Sequence, residues 1–429
     1  MREHAEEETA LSKLPPRLQE SFFDLADLAA SKVSEILKKE EERLKDLRKA
    51  LKFRKVSSSF RRDLRIGAVD GSISPKLSER LGFRIGVYAA TYMVFDGDAI
   101  ISDDDEENME AGYIIAPQTG SPLHTKKILS LLSTLLERKL AMRCIDKYKV
   151  DLMLIDGSFY GFRTRCSEIK NKQLGELGIS GPGLNEWGIK TGWDLIEKIY
   201  DLTSRLKRSG KTVAVIKRVR TAAIDGWLLS RNWSLNSILN RNDRAILRRL
   251  MKVGEYFDYA DLLGDGSRYL HYSGLKGWFR EIEREIKNLP EHEKLKKALE
   301  HVDKKLKLQI TTDLCPPEKE DERRKNETYR EVISPRRLYL RLSAYAAPAC
   351  IEFGDEVDED LALSYLLSSG NPATGLPFPI DIIDEMVSFD RRLASEFADE
   401  IEARLLLSSG LDVDHVYGEF ESINPQKSE

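Results

Sequence analysis

Two segments of the chain close on the same pattern, Val69-Asp70-Gly71-Ser72 and Ile155-Asp156-Gly157-Ser158. Each follows an apolar run that reads as a β-strand, RIGAVDGS over 65–72 and DLMLIDGSF over 151–159. Asp-Gly-Ser is turn chemistry, so each aspartate is expected at the C-terminal edge of its strand. Ligands of open sheets collect at such edges, and glycine there lets a phosphate or a metal come close to the backbone. Ordinary strand-terminating turns use the same residues, so the pair alone does not decide the matter. A third carboxylate, Glu137, stands 19 residues before Asp156 (156 − 137) in LLERKLA, just after an apolar helical stripe. Alone it reads as a surface glutamate beside Arg138 and Lys139. Three converging carboxylates repel one another and resist ionisation unless cations are bound. Hard divalent ions that take oxygen ligands, Mn²⁺ or Mg²⁺, relieve that repulsion. Two such ions can stabilise the attacking water and the leaving oxygen in phosphodiester hydrolysis.

Basic and aromatic residues fall where they could serve the same chemistry. Lys217 and Arg218 end the apolar run TVAVIKR and could neutralise a phosphate or a developing charge. Arg341 and Tyr345, in LRLSAYAAP, could do likewise or stack on a base. Solvation at a strand end is the plain alternative for each cation, and core packing is the alternative for Tyr345.

These residues need a scaffold. Apolar positions from Phe22 to Leu51 recur at helical spacing among charges and predict one long helix over 15–52, a docking or oligomerisation arm or a helix packed on its own domain. Strand patterns follow at 65–72, 84–95 and around Gly112–Ala116, with the acidic Asp103–Glu107 as a loop between the last two. A helix is predicted over about 123–147, then the strand 151–159, a helix near 191–208 and the strand 212–218. Antiparallel strands first and strand–helix alternation afterwards is the order of an α/β, RNase H-like mixed five-stranded sheet flanked by helices. In that sheet the helix after the antiparallel strands brings a carboxylate between the two aspartates. A charged helical insertion is expected at about 235–330, including Trp278–Leu289, Glu291–Lys307 and the polar Pro316–Asn326. Strand pattern returns over 337–353, and helices are expected at about 357–368 and 379–407. The expected organisation is an N-terminal helical arm, 1–55, and a catalytic domain, 56–429.

Composition narrows the class. Hydrophobic residues make up 41% of the 429 and charged residues 33%, a globular composition with a highly charged surface. The formal charge of −4 leaves room for a nucleic-acid partner, because residues 38–65 hold twelve Lys/Arg against five Asp/Glu. The bland reading of that stripe is a solvated helix face. No apolar run is long enough to span a bilayer and no leader is visible, so a cytoplasmic protein without a membrane partner is expected. Four scattered cysteines without a CxxC fit a reducing compartment and no zinc site. No phosphate-binding loop of the ATPase type occurs, so any ATP-driven movement must come from a partner.

Taken together, AVDGS, LLERKLA, LMLIDGSF, the strand ending in Lys217, YLRLSAY continuing to Glu352, and GLPFPIDIID resemble the NurA nuclease family of archaea and some bacteria. The resemblance covers roughly 60–225 and 335–410. It implies a manganese-dependent nuclease that degrades single- and double-stranded DNA in the 5′-to-3′ direction and cuts single strands internally. It also implies a homodimer that works with the hexameric ATPase HerA in DNA end resection for recombinational repair. By position, Asp70, Glu137 and Asp156 match the family's metal-binding carboxylates, and Tyr345 its aromatic residue. Where the family often has a histidine in Pro-Leu-x-x-Ala-His, this chain has Asp384, which can ligate a metal, directly or through a water, but cannot act as an imidazole. Two other classes remain open at this point. One is a different RNase H-like enzyme, such as a resolvase or an RNA-strand nuclease. The other is a noncatalytic DNA-binding adaptor for a motor ATPase.

Overall fold

The structure is a computed structural model that describes residues 11–57, 63–97, 99–103, 105–219, 221–232, 239–263, 275–316, 336–408 and 410–423. It comprises two compact units, Met1–Lys52 and Phe53–Glu429.

The described residues of the first unit are dominated by one 35-residue helix, α1 (Pro16–Ala50), with proline in its first turn and Arg48 and Lys49 in its last. Proline at a helix start forfeits no intrahelical hydrogen bond, and cations favour the negative C-terminal end. Leu18, Phe22, Phe23, Leu25, Leu28, Val33, Ile36 and Leu37 are exposed along it.

The second unit is built on an eleven-stranded mixed sheet. Its strands are β1 (Arg54–Lys55), β2 (Arg65–Ile73), β3 (Ser78–Glu79), β4 (Phe83–Asp96), β5 (Ala99–Ile100), β6 (Met109–Pro117), β7 (Leu152–Asp156), β8 (Thr212–Ile216), β9 (Glu255–Asp258), β10 (Arg337–Leu340) and β11 (Ala349–Phe353). The five strands expected from the sequence are all present. They lie side by side as β6-β4-β2-β7-β8, with β6, β4 and β2 antiparallel and β2, β7 and β8 parallel. Along the chain this is the order third, second, first, fourth, fifth, which is the RNase H-like arrangement. The sheet does not stop there. β11 pairs antiparallel with β8, and β10, β9 and β1 follow.

Three expectations need adjusting. The segment 235–330 is not only an insertion, because it supplies β9 to the sheet; four residues with a single exposed-side position carry too little pattern to be seen in sequence. The stretch 337–353 is two strands rather than one, separated by Arg341–Pro348. The helix expected over 379–407 is broken into Phe378–Met386 and Leu393–Ser408. Between them the Asp390 carboxylate accepts from the Arg392 amide at 2.8 Å, a local bond that competes with helix. Residues 317–335, most of the polar stretch Pro316–Asn326, lie outside the described residues.

Two apolar layers cover the faces of the sheet. On one face α2 (Pro122–Tyr148) packs through Ile128, Leu132 and Leu136 onto Val69 and Ile155. Its start is set by Pro122 and by Ser121, whose hydroxyl accepts from the His124 amide. On the other face Ile380 and Ile383 of the helix Phe378–Met386 lie in one core cluster with Ala68 and Leu154. Strand residues alternate between the two faces, and that alternation places the site.

Candidate active site

Strand β2 does not end at Asp70. Its antiparallel ladder with β4 runs on through Asp70↔Thr91, Gly71↔Ala90 and Ser72↔Ala89 to Ile73. What ends is the parallel ladder with β7, whose last pair is Val69↔Ile155. Asp70 and Asp156 are each one residue beyond that pair. Val69 and Ile155 face α2, so by the two-residue period Asp70 and Asp156 face the layer that holds the helix Phe378–Met386. Lys217 follows β8 in the same phase as Val213 and Val215, which belong to that layer too.

The helix Phe378–Met386 brings Asp384 to meet them. Carboxylate oxygens of Asp70, Asp156 and Asp384 all lie within 4.8 Å of one another, the one such grouping of His, Cys, Asp or Glu among the described residues. Lys217 Nζ is 2.6 Å from Asp156 Oδ2 and 2.6 Å from Asp384 Oδ1. One ammonium thus faces three carboxyl groups. Burial, then the neighbouring Asp156 and Glu137 charges, push the Asp70 carboxyl up to about 9. Burial also raises Asp156, against the pull of Lys217. For Lys217 itself burial disfavours the charge, yet Asp156 and Asp384 outweigh it and its pKa is raised. A set of oxygen ligands that one lysine cannot neutralise suits a hard divalent cation, and the residues present fit such an ion.

Glu137 occupies the other layer. It is buried on α2, and Arg138 Nη1 donates to its Oε1 at 2.7 Å. Burial moves its carboxyl up to about 7, against the opposing effect of Arg138. It acts electrostatically on Asp70 and Asp156 without entering the group of carboxylates in mutual ligand range. The glycine between the layers has a different task from the one expected. A Cβ on Gly71 would stand 2.9 Å from Ser133 Oγ and 3.3 Å from Glu137 Cβ, so Gly71 admits α2 rather than a ligand. Gly157, with φ +99°, turns the chain directly after Asp156 in a conformation that favours glycine.

The remaining expected residues divide by exposure. Arg218 is exposed just past β8. Tyr345 is 83% exposed in the loop between β10 and β11, and so is not a packing residue. Arg341 is buried, and its guanidinium donates to the carbonyls of Arg248 at 3.2 Å and Ala344 at 2.8 Å. Its donors hold the base of the Tyr345 loop instead of standing open to solvent, which corrects the expectation of a surface DNA contact. Arg244 was not singled out in the sequence. It donates from Nε to the Pro348 carbonyl at 3.0 Å and from Nη1 to the Lys217 carbonyl, tying that loop to the lysine's own backbone.

The strand order, together with an acidic, lysine-bridged centre where its parallel strands end, places the protein among RNase H-like, metal-dependent nucleases. The NurA domain model matches residues 64–389, most of the chain, and the chain belongs to the NurA family. Solved structures resemble it distantly. The NurA nuclease from Sulfolobus solfataricus is 12% identical over 92% of this chain and 98% of that one, with a TM-score of 0.49. A NurA structure bound to dAMP and manganese is 11% identical over 94% and 99%, with a TM-score of 0.46. Human ENDOV is 12% identical over 84% and 98%, with a TM-score of 0.32. Comparison with curated proteins finds no match. No described helix is long and apolar enough to cross a membrane.

Proposed function

We propose that the protein is a divalent-metal-dependent deoxyribonuclease that degrades DNA ends and cuts single strands, acting as a homodimer with a HerA-type ATPase in end resection. The observation that carries the catalytic part is the close approach of Asp70, Asp156 and Asp384 around one lysine. In this reading the three aspartates hold Mn²⁺ or Mg²⁺, and Glu137, held by Arg138 outside their ligand range, would reach a second ion by exchanging that partner for the metal. The bound ions supply Lewis-acid stabilisation and lower the pKa of water. Lys217 orients Asp156 and Asp384 through its two 2.6 Å contacts, and its positive charge sits where a scissile phosphate would enter. Arg218, exposed just past β8, and Tyr345, exposed in the loop between β10 and β11, are the proposed contacts to backbone and base. Manganese in a crystal structure of a family member supports the choice of ion. The 5′-to-3′ direction, the dimer, the ATPase and the role in repair rest on the family resemblance, and cytoplasmic location rests on composition.

The test is cleavage of end-labelled DNA with Mn²⁺ and with EDTA. Asp70→Ala and Asp156→Ala should each remove most cleavage while the fold persists, and Asp384→Asn should raise the Mn²⁺ concentration needed for half-maximal rate. Undiminished cleavage in EDTA, or by Asp156→Ala, would refute the assignment. Labelled RNA and branched junctions in the same assay separate this reading from an RNA-strand nuclease or a resolvase, and no cleavage of any substrate would favour a DNA-binding adaptor.

A further inference from the structure

We propose that Glu352 is a positioning residue for the metal centre: it grips the turn that aims Asp156, and divalent-ion affinity depends on that grip. The inference rests on reading the aspartate cluster as a metal centre. Glu352 lies on β11 opposite Ala214 of β8 and is fully buried. Its strand neighbours Ile351 and Phe353 belong to the layer that holds the aspartates. Glu352 therefore points to the opposite face, beneath the sheet from the cluster.

Both of its oxygens are spent on the residues that follow Asp156. Ser158 Oγ lies 3.1 Å from Oε1 and 3.0 Å from Oε2, and the Phe159 amide donates to Oε2 at 3.1 Å. Arg337, directly across the β10–β11 ladder, donates from Nε to Oε1 at 3.0 Å and from Nη2 at 2.5 Å. A buried carboxylate so fully satisfied by a cross-strand arginine is a rigid post. The turn is also tied through its backbone, the Gly157 amide donating to the Val215 carbonyl at 2.8 Å and Arg138 Nη2 to the Ser158 carbonyl at 3.1 Å. But Gly157, at φ +99° and without a side chain, leaves Glu352 as the grip on the Ser158 side chain and the Phe159 amide. The Asp156 carboxylate hangs from this turn on one side of the sheet while its successors are clamped on the other. Small displacements of a ligand's carboxylate cost metal affinity even when every ligand remains present.

The experiment is a Mn²⁺ titration of the full chain, reading free ion by electron paramagnetic resonance, alongside thermal unfolding. Ser158→Ala removes one of Glu352's donors and leaves Arg337 paired. It should weaken Mn²⁺ binding about tenfold with a nearly unchanged unfolding midpoint. Ser158→Thr, which keeps the hydroxyl, should return affinity to the parent value. Glu352→Gln should lose more affinity, but it also strips the charge partner of a buried arginine and can fail to fold, so Ser158→Ala is the deciding variant. Parental affinity in Ser158→Ala, or equal losses in Ser158→Ala and Ser158→Thr, would overturn the positioning role. A parent that binds no Mn²⁺ would overturn the metal reading as well, which separates the two failures.

Discussion

At the scale of single residues the centre is governed by protons. Burial and the neighbouring Asp156 and Glu137 charges push the Asp70 carboxyl up to about 9, far above the ordinary value of 3.8. A folded-state pKa above the unfolded one means that the folded chain binds the proton more tightly. The stability this contributes is complete below the unfolded pKa and is lost as pH rises through about 9. A divalent ion must displace that proton to use the carboxylate. Apparent Mn²⁺ affinity should therefore rise with pH below 9, by about tenfold per unit for each proton released. At one fixed Mn²⁺ concentration, the increase in melting temperature should be larger at pH 8 than at pH 6. An equal increase at both values would show that Asp70 is already ionised without metal. Asp70, Asp156 and Lys217 were legible in the sequence because each ends an apolar run that a strand pattern can locate. Asp384 was legible only through the resemblance, since nothing in FPIDIIDEM tells which carboxylate its helix turns toward the sheet. The pairing of Glu137 with Arg138 could not be read, because two adjacent charges on a helix ordinarily diverge.

At the scale of elements the packing of α2 on β2 is the tightest constraint on the site. Ser133 Oγ donates to the Ser72 carbonyl at 3.3 Å, and Gly71 leaves no room for a side chain beneath it. Gly71→Ala should push α2 away from the sheet at the turn that carries Ser133 and Glu137. The expected loss is about 1–3 kcal/mol, as for other overpacked interiors, read from the urea midpoint. A fully parental midpoint would mean that the helix yields freely there. Helical and strand periods made β2, β4, β6, α2, β7 and β8 readable, because each buries a long stripe or a continuous apolar run. Of the extension, β11 and β10 were readable as strand pattern over 337–353, though as one strand, and β9 and β1 were not. β9 and β1 have four and two residues, too few for alternation to emerge. The hydrogen bonds that fix the loop between β10 and β11 run from arginine side chains to carbonyls, and no sequence pattern records them.

At the scale of the whole molecule, the unit Phe53–Glu429 contains the sheet, both apolar layers and every residue of the site. A chain that starts at Phe53 should keep a single unfolding transition and parental Mn²⁺ affinity. Exposed Phe22, Phe23, Leu25 and Leu28 on α1 are the kind of apolar stripe that self-association covers. Loss of residues 1–52 should therefore leave a monomer by sedimentation; a truncated chain that sediments at twice its own mass would place the proposed dimer contact elsewhere. The sheet itself sets a schedule for biosynthesis. Asp70 and Asp384 are 314 positions apart (384 − 70), and β8 meets its next neighbour only when β11 exists. Pairings so distant along the chain close late. A polypeptide still on the ribosome therefore holds two of its three clustered aspartates long before the third emerges. The three-aspartate centre can form only after the helix Phe378–Met386 has emerged, so a shorter nascent chain has the sheet's first strands without the cluster that they help to build.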